Sequence, residues 1–147
     1  MDGQQGTAQI SVTVTRFVHI GHHGYSAAQV LLTDGGGCAT QDGGANQPIV
    51  VLQNKTVDIV FTVAANGGDA CIPIGIGLKQ TAGSPPDPVG ATDFPSRIVA
   101  TGPDGSITLK LDDANEAENS FEFDLVIQRV ADGAIGVVDP LIRNQGG

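Results

Sequence analysis

Ile10-Ser11-Val12-Thr13-Val14-Thr15 alternates an aliphatic side chain with a small hydroxyl at every step. A period of two belongs to a strand with one buried and one solvated face, and it cannot line one side of a helix. The β-branched residues in both files also stiffen χ1 and favour extended backbone. The stretch predicts a strand over residues 8–19. The same period returns in Val57-Asp58-Ile59-Val60-Phe61-Thr62-Val63, where 57, 59, 61 and 63 make the apolar file.

Outward from these two, similar files predict strands at residues 29–33, 48–53, 72–78, 97–101, 107–111, 121–127 and 135–138. In the 72–78 segment Pro73, Gly75 and Gly77 thin the second face, which suits an edge or a bulge. About nine short, mostly antiparallel strands separated by turn clusters are the signature of an all-β fold, a β-sandwich. Residues 79–96 hold four prolines (Pro85, Pro86, Pro88, Pro95) and cannot be regular for long, and residues 112–119 allow at most a turn of helix. No repeat or boundary divides the chain, so one domain is expected over 8–147 after a flexible tail, 1–7.

Composition narrows the function classes. The 147 residues include 21 glycines, no Trp and one Tyr, so the core must come from Val, Ile, Leu and Phe. Sixteen acidic and seven basic residues give a net charge of -9, which disfavours nucleic acid and anionic membrane as partners. No apolar run approaches the ~20 residues of a membrane span. The first residues carry neither a basic nor an apolar segment, which makes a cytoplasmic location the default expectation. Cys38 and Cys71 both sit in Gly-rich turns and are expected as unbridged thiols. His19, His22 and His23 fall within five residues but lack a carboxylate or cysteine placed beside them, so no metal and no cofactor is assigned. No nucleophile elbow, phosphate loop or Cys-x-x-Cys pair occurs.

The chemistry that stands out is a peptide bond. Proline makes Asp139-Pro140 a tertiary amide without an N–H, and its nitrogen leaves more readily once protonated. The Asp side chain reaches its own carbonyl carbon through a five-membered ring, and such intramolecular placement can offset about 7–11 kcal/mol of barrier. An acid is still required. If Asp132-Gly133 is a two-residue hairpin turn flanked by Ala131 and Ala134, Asp139 lies opposite Val126, one diagonal step from Asp124. A second hairpin matching 107–111 with 121–125 would gather Thr108, Lys110, Glu122, Asp124 and Asp139 on one face. Asp124 or Glu122 would serve as the acid, and Lys110, if deprotonated, could capture an activated Asp139 as an isopeptide. On charges alone the same set reads as ordinary cross-strand ion pairs. Asp87-Pro88, away from any such cluster, is an internal control.

Val138-Asp139-Pro140-Leu141-Ile142-Arg143-Asn144 resembles the ending of the small bacterial β-sandwich proteins of the DP-EP family, which also open with an alternating Val/Thr strand. The resemblance implies a compact sandwich and, for part of the family, self-cleavage at the Asp-Pro bond by aspartic-peptidase-like chemistry. It further implies lysine capture of the new carboxyl, and self-assembly. Asp139 and Pro140 take the scissile positions, and Lys110 is the lysine nearest to them. The expected function is thus a self-processing endopeptidase-like domain with self-assembly through its C-terminal strand. The alternative is a non-enzymatic binding or assembly module.

Overall fold

The Ile10–Thr15 alternation lies within β1 (Gln4–Ile20) of a computed structural model that describes residues 4–20, 23–65, 70–78, 94, 97–101, 107–116 and 118–146. Ala8, Ile10, Val12 and Val14 are buried, while Gln9 and Thr15 are exposed, as the period of two requires. Ten more strands follow among the described residues. They are β2 (His23–Asp34), β3 (Ala39–Thr40), β4 (Ile49–Val51), β5 (Lys55–Ala65), β6 (Cys71–Leu78), β7 (Arg97–Thr101), β8 (Ile107–Asp113), β9 (Glu118–Arg129), β10 (Ile135–Val138) and β11 (Leu141–Gln145).

They form two sheets. One has the order β2-β1-β5-β8-β7; in the other, β6 and β10 flank β9, and β11, in line with β10, joins β9 to β4 and then β3. The inward files of both sheets meet in one core that includes Ile10, Val12, Ile59, Phe61, Leu109, Leu111, Phe121, Phe123, Leu125, Ile127 and Ile142. The protein is an all-β sandwich with mixed sheets: β1 pairs with β5 in parallel, as does β11 with β4, and the other pairs are antiparallel. Phe94 is buried among the strands, its ring edge-to-face with Phe121 at 4.8 Å and with Phe123 at 4.9 Å. That geometry sets the positive ring edge against the partner's negative face.

Several expectations need correction. Gln4 to Thr7, expected as tail, pair in parallel with Lys55 to Asp58, so β1 begins earlier. The β8–β9 hairpin does not form. β8 pairs with β5 and β7, and the chain crosses to the other sheet before β9. Asn115 drives the crossing: it adopts φ 50°, and its amide donates to the carbonyls of Leu52 (2.7 Å) and Lys55 (2.8 Å). Such capping of an arch holds a chain that apolar matching alone would have folded back. β3 was not expected as a strand, and the expected C-terminal strand is observed as β11. Of the Pro-rich stretch 79–96, only Phe94 has described surroundings.

Candidate functional site

The Asp139-Pro140 bond joins β10 to β11, with ladder on both sides of it. Before it, Ile135 pairs with Gln128 and Val138 with Leu125; after it, Leu141 pairs with Glu122 and Gln145 with Glu118. The register is the same on both sides, so β10 and β11 form one line along β9, and the backbone N–H of Phe123 donates to the Pro140 carbonyl at 3.1 Å. Pro140 has no N–H to return, so this rung carries one bond instead of two. Inward along the line lie Val138, Pro140, Ile142, Asn144 and Gly146, all buried; Asp139 points outward and is exposed.

That register puts Asp139 directly opposite Asp124, in the step next to the Phe123–Pro140 rung. It is a non-hydrogen-bonded pair, in which Cα atoms approach to about 4.5 Å and the side chains lie closest. The hairpin turn accounts for the difference from the expected Val126 partner. A two-residue hairpin turn needs positive φ at its first central residue (type II′) or at both (type I′), but of Asp132 and Gly133 only Gly133 (φ 74°) has it. The loop instead spans 130–133 and is closed by Arg129 N–H to Ala134 O (2.9 Å) and Gly133 N–H to Arg129 O (2.8 Å). The change moves the register by two residues, which keeps every side chain on its expected face. Asp139, Asp124 and Glu122 therefore do share the outer face of one sheet. On the far side of Asp124 stands Gly77 of β6, where even a methyl group would meet nothing within 4 Å.

Lys110 is not part of this group. It sits on β8 in the other sheet, between buried Leu109 and Leu111, and so points away from the core on the opposite side of the sandwich. Two sheets stack about 10 Å apart, and outward groups on opposite sheets are further still. Thr108 goes with it. Lys110 Nζ lies 3.3 Å from Asp58 Oδ2 and 3.8 Å from Asp112 Oδ1, over a pocket of about 310 Å³ lined also by Gln5, Thr56 and Asp113. Burial, then a hydrogen bond shared with Asp112, pushes the Asp58 carboxyl above its ordinary range despite the lysine. Asp58 in turn holds the Lys110 ammonium above its own. Capture of Asp139 by Lys110 within one chain is thereby ruled out by geometry.

A buried polar set went unnoticed in the sequence. Asn144 Nδ2 donates to Asp113 Oδ1 at 2.8 Å, Asp113 Oδ1 also accepts the Asn115 N–H at 2.9 Å, and Asn115 Oδ1 accepts the Gly146 N–H at 2.8 Å. Asp113, Asn115 and Asn144 are each at most 2% exposed. The signal was legible: Asn144 follows Ile142 in an inward file, and Asp113 follows Leu109 and Leu111 in another.

Cys38 and Cys71 are buried thiols with no disulfide between them. Cys38 packs near Gly6, where an added Cβ would meet its Sγ at 2.5 Å, whereas Cys71 follows the far end of β5. Because β1 and β5 run in parallel, the two thiols sit at opposite ends of the sandwich. The imidazoles of His19, His22 and His23 lie outside the described residues. Among the described residues no three His, Cys, Asp or Glu could hold a metal, and no helix is long and apolar enough to cross a membrane.

No family model matches the sequence, and no curated protein does. Among solved structures the chain is similar to the inclusion body protein PixA from Burkholderia cenocepacia J2315. The two share 11% identity over 97% of this chain and 94% of that one, with a TM-score of 0.55. At that identity the likeness is one of fold.

Proposed function

We propose that this protein is a self-processing β-sandwich, of the DP-EP kind, that hydrolyses its own Asp139-Pro140 bond. The observation that carries the reading is the placement of Asp124 directly across the strand from Asp139. The Asp139 carboxylate adds to its own carbonyl carbon, the C–N bond breaks, and the prolyl nitrogen takes the Asp124 proton. Water then opens the cyclic anhydride, returns a proton to Asp124 and leaves Asp139 with two carboxyl groups. One water is consumed and Asp124 ends as it began. The Phe123 carbonyl opposite Pro140 adds a stabilisation absent from the ground state. As the nitrogen leaves it acquires the N–H that the amide lacked, and the ladder can accept it.

Asp124→Asn is expected to slow cleavage about 10²–10⁴-fold, and Asp139→Ala to abolish it. Time-resolved intact-mass measurement checks both. An Asp124→Asn variant that cleaves at the wild-type rate would remove the acid and the mechanism with it.

A second reading has a specific observation behind it. The fold is that of a protein known as an inclusion body protein, which favours a non-enzymatic module that assembles with copies of itself. On either reading the partner is a second copy of the chain, and the charge of -9 argues against nucleic acid and anionic membrane. A cytoplasmic setting fits both. Cleavage separates the two readings.

A further inference from the structure

We infer that the buried Asp113–Asn144 hydrogen bond is a register lock whose task is to hold Asp139 opposite Asp124; the inference rests on the self-cleavage reading and deepens it. The inward file of the last strand is Pro140, Ile142, Asn144 and Gly146, and only Asn144 has a polar side chain. Period-two patterning forbids a one-residue slip, which would turn the whole file outward, but it tolerates a slip by two. A two-residue slip would bring Ile142 or Gly146 against the Asp113 carboxylate in place of the Asn144 amide. It would also move Asp139 from Asp124 to Glu122 or Val126.

The opposite side of the bond has its own pin. The 130–133 turn fixes β10 through Arg129 and Asp132, whose side chains pair at 2.9 and 2.6 Å. Between the two pins, Pro140 is the weakest rung, since it cannot donate to the ladder, and it is there that a bulge would enter most easily. The count along β10–β11 and along β9 is nevertheless equal from the Ile135–Gln128 pair to the Leu141–Glu122 pair. The Asn144 amide, with the Gly146 N–H held by Asn115 behind it, removes the slack. A single buried polar contact that selects one register among apolar alternatives is a known use of such groups. Asn144 is on this account a positioning residue; it touches no reacting atom.

The test uses the full chain carrying Asp124→Cys and Asp139→Cys. A non-hydrogen-bonded antiparallel pair lies within disulfide reach, so oxidation in the expected register cross-links the two strands. Into this background goes Asp113→Leu with Asn144→Leu, which replaces the polar contact by an apolar one and keeps the core filled; Asn144→Leu alone, which strands a buried carboxylate, is the harsher companion. The inference expects the double-Leu protein to unfold cooperatively while its cross-linking rate falls about tenfold, and expects the same substitutions in the native background to slow cleavage about as much. Unchanged cross-linking in the folded double-Leu protein overturns the lock. If the native chain never cleaves, the proposed function fails, and the cross-linking rates still decide whether Asn144 sets the register.

Discussion

Arg129 holds the Asp132 carboxyl down to about 2, with help from the Ala134 N–H, against an ordinary value of 3.8. A depressed carboxyl contributes stability above its ordinary range and loses it as the pH falls through the folded value. Melting curves of wild type and Asp132→Asn should therefore differ at neutral pH and converge as the pH approaches about 2. Equal melting at every pH would show that the pair does nothing for the turn. Asp58 runs the other way. Its carboxyl is raised, first by burial and then by Asp112, so its contribution is complete below the ordinary range and lost as the pH rises through the raised value. Asp58→Asn should match wild type in acid and melt higher at neutral pH. A variant that melts lower at neutral pH would mean that Lys110 outweighs the desolvation.

Elements were legible where one face is apolar and the other is not. β1, β5, β8 and β9 follow from alternation alone, because each buries one file and turns the other toward solvent, half-buried in β8 and β9. The C-terminal strand was expected, but its place between β9 and β4 was hidden. Hidden with it was the burial of Asn144 against Asp113. The β8–β9 crossing was hidden too, since apolar files match equally well in a hairpin or across a sandwich and the deciding contacts are the Asn115 amide on Leu52 and Lys55. Of the candidate site, Asp139, Asp124 and Glu122 were found on the right face because the turn error was an even number of residues, while Lys110 was lost with the false hairpin. Phe94 is a packing element in itself, outside any strand and touching two rings. Phe94→Ala should destabilise by about 3–5 kcal/mol, measured by denaturant unfolding; a loss under about 1 kcal/mol would mean that the ring is not part of the core.

For the molecule as a whole, the final strand is a central one. β11 is paired to β9 on one side and β4 on the other, with Ile142 in the core. Cutting the chain before it removes one covalent bond and none of those contacts, so both pieces should stay together under native conditions. Everything about activity reduces to whether the folded chain breaks itself at one bond. Intact-mass spectrometry of freshly purified and incubated protein under denaturing conditions reads that directly, with Asp87-Pro88 in the same chain reporting the intrinsic lability of the dipeptide. The account predicts that fragments 1–139 and 140–147 accumulate while the Asp87-Pro88 bond stays whole. An unbroken chain after prolonged incubation, or breakage at both bonds alike, would contradict it.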